Sequence, residues 1–295
     1  MIKNDNERKK KSREQECFEK VLRCRSVKGK FASDICKIFI ENKDCIDYSG
    51  ERPDIIINTD NEIIGIEHCR VDMLFKTKKK IAQSMIGIQQ SKSERLVEKY
   101  KEKELLEEDI NNGNALKPVL DMVEERFEYH NKFDYSAFIS NFNRVSRDHN
   151  KNCKDYRERM KKISSEKEHS LVCLIEIPYL KKTVYQIEDS KGSRVQAIKG
   201  IPITWDMLCT IQNMKDFDIV IICLYCFDNP SDDKDIVCYY FLPRAVKEAI
   251  KQQRIKPVIS FDLTGKMNVK FLDKYEFGEG EIKFYAKASF DNKKH

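Results

Sequence analysis

The sequence predicts an α/β protein with a mixed central sheet and a large helical insertion, and three observations carry that prediction. Residues 51–72 read as a tight hairpin of two apolar strands. From Met73 to Glu168 the pattern changes to charged helical segments with little strand-like alternation. From Ser170 to Asp262 apolar runs again alternate with short helical stretches, as in a sheet covered by helices.

In chain order, Ser12–Arg25 predicts a helix with an apolar stripe of Cys17, Phe18, Val21 and Leu22, broken at Gly29. A second helix is predicted over Phe31–Asn42, buried through Phe31, Ile35, Ile38 and Phe39. The hairpin follows as strands Asp54–Asn58 and Glu62–Arg70, joined by Thr59, Asp60 and Asn61. Helices are then expected over Lys76–Glu108, Ala115–Asn131 and Tyr135–Lys167, with the sharpest break at Asn111, Asn112 and Gly113. Ser170–Ile177, Phe217–Tyr225, Asp235–Leu242 and Pro257–Asp262 read as strands, with helices at Trp205–Met214 and Arg244–Gln253. The second strand of that group is apolar throughout, as a central strand covered on both faces must be. Val269–Leu272 and Ile282–Tyr285 are strand-like. The expected organisation is therefore a basic arm and helix over 1–30, a core of 31–72 with 169–263, a helical insertion over 73–168 and a C-terminal β extension over 264–295.

Charge is unevenly distributed. Residues 1–30 carry eleven Lys and Arg against five acids, a surplus equal to the net charge of +6. Such an arm favours phosphate contact through counterion release. Lys78–Lys80 and the group Arg157, Arg159, Lys161 and Lys162 are further phosphate candidates, although interspersed acids make a solvated helix face the simpler reading. No stretch approaches the ~20 apolar residues that span a bilayer, and no apolar export segment opens the chain. The expectation is a cytoplasmic protein without a membrane partner. The eleven cysteines, an odd number set mostly in apolar runs, read as buried thiols in a reducing compartment. Cys223 and Cys226 form the single CxxC, which lacks the second pair of a zinc site. No glycine-rich phosphate loop is present.

Chemistry concentrates in the hairpin. Asp54 opens its first strand after Pro53, and Glu67 interrupts the apolar run of the second. A carboxylate within such a run is costly to bury unless something neutralises it, and a metal ion does so. Alternation puts Gly65, Glu67 and Cys69 on one face and Ile64, Ile66 and His68 on the other.

Pro53-Asp54 with Gly65-Ile66-Glu67-His68-Cys69 resembles the motif of the PD-(D/E)xK nuclease superfamily, with Cys69 where the family has lysine. The resemblance implies a restriction-endonuclease-like core and a Mg²⁺-dependent endonuclease, a hydrolase of phosphodiesters in DNA rather than RNA, with Mn²⁺ as an alternative ion. Asp54 and Glu67 would be the metal ligands, with the backbone carbonyl of His68 adding an oxygen. A helix before the strands often supplies a further acid in that family, for which Glu41 and Asp34 are the nearest candidates, Glu41 as the metal ligand, and Glu19 a weaker one. Cys69 cannot act as the water-activating cation. Either another Lys or Arg reaches the site, or His68 takes part, or the site is degraded. Glu176, an acid inside the strand at 170–177, and Lys181 and Lys182 after it, would join if that strand lies beside the one carrying Glu67. The catalytic set implied is thus Asp54, Glu67, His68 and Cys69. The alternatives are a catalytically weakened module that binds nucleic acid or a protein, and a helical interaction protein. A homodimer or protein partner would engage the helical insertion.

Overall fold

The Ile55–Asn58 strand (β3) and the Glu62–Arg70 strand (β4) form a hairpin within the main sheet, with Ile55 opposite Ile66 and Asn58 opposite Ile63. Thr59 closes the turn: its hydroxyl donates to the Glu62 carbonyl at 2.9 Å and accepts from the Glu62 N–H at 3.0 Å. The computed structural model describes residues 2–29, 31–50, 52–76, 82–84, 132–133, 135–179, 184–188, 194–199, 203–226, 235–252, 257–262, 268–272, 275–277 and 280–282.

Before the hairpin come helix α1 (Ile2–Arg23), strand β1 (Ser26–Lys28), helix α2 (Ala32–Glu41) and strand β2 (Ile46–Asp47). After it come short strands β5 (Leu74–Lys76), β6 (Ala82–Ser84) and β7 (Lys132–Phe133), then helices α3 (Tyr135–Lys151) and α4 (Cys153–Ile163). Strand β8 (Glu168–Tyr179) re-enters the main sheet. Strands β9 (Val184–Glu188) and β10 (Arg194–Lys199), helix α5 (Trp205–Ile211), strands β11 (Ile219–Cys226) and β12 (Val237–Phe241), and helix α6 (Pro243–Lys251) follow. The described chain ends with β13 (Pro257–Asp262), β14 (Asn268–Leu272), β15 (Tyr275–Phe277) and β16 (Gly280–Ile282).

The main sheet is mixed and seven-stranded, in the order β1-β12-β11-β8-β4-β3-β2. Its three central strands, β4, β8 and β11, run parallel, and apart from Glu67, His68 and Glu176 their buried interiors are mostly apolar because both faces are covered. One face packs on α1 and α2: Cys17, Phe18, Val21, Ile35 and Phe39 join Ile64, Ile66, Val172, Leu174, Ile221 and Cys223 in one core. Phe18 and Phe39 meet edge to face with ring centroids 5.4 Å apart. The α4 helix lies against β4 and β8. Its approach explains Gly65, where a Cβ would fall 2.7 Å from Met160 Sδ and 2.7 Å from Pro53 Cγ.

Several expectations change. Ser26–Lys28, which no periodicity marked, pairs in parallel with β12 and takes that sheet edge. Pro257–Asp262 is a strand, but with β12 flanked on both sides it joins a second sheet, β10-β9-β13-β14, instead of the main one. The basic arm is helical from Ile2. The expected helix beginning at Lys76 gives way to strands at 74–76 and 82–84, where the apolar Leu74 and Phe75 prolong the strand pattern; most of Lys76–Glu108, and all of Ala115–Asn131, lie outside the described residues. Two compact units are present, Asp72–Phe138 and the remainder of the chain. The former contains the three-stranded sheet β6-β5-β7, and residues from Ile139 onward belong to the unit with the main sheet. Among the described residues, no helix is long and apolar enough to cross a membrane.

Candidate active site

Antiparallel register carries Asp54 and Glu67 to the same face. Ile55 pairs with Ile66, so one step further along the hairpin Asp54 stands opposite Glu67. The ladder ends at the Ile55–Ile66 pair, and beyond it the Asp54 side chain takes over. Its Oδ2 accepts the backbone N–H of His68 at 2.8 Å. Both acids are buried, with Asp54 3% and Glu67 5% exposed.

Two residues from the crossover helices meet Glu67. Tyr156 of α4 donates its hydroxyl hydrogen to Glu67 Oε1 at 2.9 Å, and His149 Nδ1, in the last turn of α3, lies 3.0 Å from the same oxygen. The chain bends between the helices, where the Asn152 N–H bonds to the His149 carbonyl at 3.0 Å. Among the described residues, Glu67 Oε2 is buried without a hydrogen-bond partner. An orphaned anionic oxygen inside a protein is expensive, and a hard cation is one thing that relieves it.

Burial opposes charge on His149, but the Glu67 carboxylate, with Cys69 and Asp54 behind it, outweighs this and raises the imidazole above its ordinary value. Its place at a helix C-terminus favours the same protonated form. On the same face, a hydrogen bond from Cys173 draws the Cys69 thiol below its ordinary value against the effect of burial, and Cys173 is raised in return. Burial pushes the Cys153 thiol up to about 12.

His68 points through the sheet to the opposite face. Its Nε2 lies 3.1 Å from Glu176 Oε2, and Tyr225 donates to Glu176 Oε1 at 2.6 Å. Arg70, in register with Glu176 across β4 and β8, places Nη1 3.8 Å from Oε1. Burial opposes the Glu176 charge, but His68 and Arg70 outweigh it and lower that carboxyl. Burial likewise opposes charge on His68, and Glu176 outweighs it and raises the imidazole. Cys17 of α1 stands with them: one ligand atom from each of Cys17, His68 and Glu176 falls within 4.8 Å of the others.

The expected set is therefore divided. Asp54, Glu67 and Cys69 come together, whereas the His68 imidazole leaves them for Glu176 because adjacent strand residues face opposite ways. Glu176 does lie on the strand beside β4, but it joins His68 and not Glu67. Glu41 is a correction: it ends α2, exposed and paired with Lys37 at 3.7 Å, and α2 packs on the face bearing Ile64 and Ile66. Asp34 is exposed, and Glu19 accepts from Gln15 at 2.9 Å. Glu14 of α1 is buried. Arg157 is tied down, donating to Asp218 at 2.8 Å and to the Asp216 carbonyl at 3.0 Å, whereas Arg159, Lys161 and Lys162 are exposed. Lys78–Lys80, Lys181 and Lys182 lie outside the described residues. His149 and Tyr156 escaped the sequence reading, since seven-residue spacing in a charged helical stretch is their sole signal. Comparisons with protein-family models, curated proteins and solved structures give no match for this chain.

Proposed function

We propose that the chain is a metal-dependent nuclease of the PD-(D/E)xK type, hydrolysing phosphodiester bonds of DNA in preference to RNA. The observation that carries the reading is the opposed pair Asp54 and Glu67 on one sheet face, with Glu67 Oε2 buried and unpartnered among the described residues. The order of elements supports it as well: a β2-β3-β4 meander, then a helical crossover through α3 and α4 to the parallel strand β8.

Asp54 and Glu67 would hold Mg²⁺ or Mn²⁺, both hard ions suited to carboxylate oxygens. Such an ion, when bound, supplies positive charge to a scissile phosphate and acidity to a water. Tyr156 holds the Glu67 carboxylate in one orientation. His149 takes the cationic role that Cys69 cannot fill: it is bonded to Glu67, favoured in its protonated form, and its side chain is 27% exposed, so it reaches toward solvent where the acids do not. From there an imidazolium offsets charge on a phosphate oxygen and delivers its proton to the leaving group.

Cleavage of supercoiled and linear DNA with Mg²⁺ or Mn²⁺ tests this. Asp54→Ala and Glu67→Ala should each lower the rate by at least ~100-fold, and His149→Ala by a similar factor. Cys69→Lys should raise it. Alanine variants of the acids that cleave like the wild type would refute the assigned site. A second reading, a catalytically weakened module that binds nucleic acid or a protein, draws on Cys69 and on the depth of both acids. It prevails if neither wild type nor Cys69→Lys cleaves while DNA is still bound.

A further inference from the structure

The sheet face opposite Asp54 and Glu67 carries a different set of donors. Cys17 enters from α1, His68 from β4 and Glu176 from β8, all three buried, with one ligand atom of each within 4.8 Å of the others. The 3.1 Å between His68 Nε2 and Glu176 Oε2 suits a hydrogen bond, and it is also close to the edge of a tetrahedron whose centre lies ~2.0 Å from nitrogen and oxygen. A fourth donor adjoins them. Cys223 of β11 is in register with Glu176 across the parallel pair and shares the core on that face with Cys17; its sulfur lies outside the 4.8 Å group and would close on an ion as it binds.

We propose that Cys17, His68, Glu176 and Cys223 form a structural site for a borderline-soft divalent cation, Zn²⁺ in the first place. Two sulfurs, a nitrogen and an oxygen are the donors zinc selects, whereas Mg²⁺ selects oxygen alone. Charge also balances: two thiolates and a carboxylate are matched by a divalent ion and the Arg70 guanidinium beside Glu176. Lys20, 4.4 Å above the Tyr225 ring, is a further cation on this side and favours the thiolates. The site joins α1 to three central strands, none of its members reaches solvent freely, and it loads as the chain folds. It is separate from the nuclease site, which lies across the sheet and uses oxygen ligands.

The test uses the full, reduced chain stripped with chelator and titrated with Co²⁺. One equivalent should produce a thiolate-to-cobalt charge-transfer band with intense tetrahedral visible bands, and one equivalent of Zn²⁺ should bleach both. Cys17→Ala and Glu176→Gln should each weaken Co²⁺ binding by at least ~10-fold, and Cys17→Ala should also diminish the charge-transfer band. Glu67→Ala should leave the spectrum unchanged even as it abolishes cleavage, so the two sites stand or fall separately. X-ray absorption on the wild-type zinc form keeps the question open to refutation if a variant does not fold: two sulfurs with two lighter ligands are expected. Absence of the charge-transfer band, a band indifferent to Cys17→Ala, or a zinc shell without sulfur would each overturn the site.

Discussion

Glu67 and His68 are neighbours in sequence and belong to different chemistry, because one strand step turns the side chain through the sheet. The His68–Glu176 pair has a sign that can be tested by pH. His68 is raised above its ordinary 6.5, so its contribution is complete below that value and fades as pH climbs through the raised one. Glu176 is lowered below its ordinary 4.5, so its contribution holds above 4.5 and fades as pH falls through the lowered one. The stability lost in metal-free His68→Gln, from urea unfolding, should therefore be largest between about 4.5 and 6.5 and shrink on either side. A loss that grows steadily from pH 6 to 9 would mean that His68 is held neutral. His149 behaves like His68: its pairing with Glu67 should stabilise most below 6.5 and weaken as pH rises through its raised value.

At the scale of elements, β4 serves both faces only because Gly65 lets α4 and Pro53 close upon it. A Cβ there meets the flexible end of Met160, which can move, and the ring of Pro53, which is less able to. Gly65→Ala should cost about 1–3 kcal/mol, the usual range for overpacking. Because α4 also carries Tyr156, the same change should disturb the hydrogen bond to Glu67 and lower DNA cleavage beyond what stability explains. Full activity in a folded Gly65→Ala protein would show that α4 need not sit against the strand for Glu67 to work.

For the whole molecule, charge distribution makes its own prediction. The positive surplus lies in residues 1–30, while Cys17, Phe18 and Val21 of α1 are already committed to the core. Deleting residues 1–13 removes six basic residues and two acids and spares every one of those buried contacts. DNA affinity should fall by a similar factor for unrelated sequences, and the dependence of binding on salt should flatten. An unchanged salt slope would show that the arm does not contact phosphate, and a sequence-dependent loss would make it a reader of bases.

The sequence by itself determined what depends on near neighbours. The isoleucine run at 55–57, the turn at Thr59, and the apolar strands at 170–177 and 217–225 announce themselves because burial on both faces demands continuous apolar residues. The shared face of Glu67 and Cys69 follows from the period of a strand, and the hairpin register brings Asp54 to it. Tertiary structure alone decided which distant segments meet. His149 and Tyr156 reach Glu67 from 82 and 89 residues away because the α3–α4 crossover lies on that face, and Glu41 is excluded because α2 packs on the other. Likewise Cys17 and Glu176 meet His68 only once α1 packs on strands that lie far apart in the chain. Strand order sets these meetings through long-range burial and pairing, and local periodicity carries no record of which strand will lie beside which.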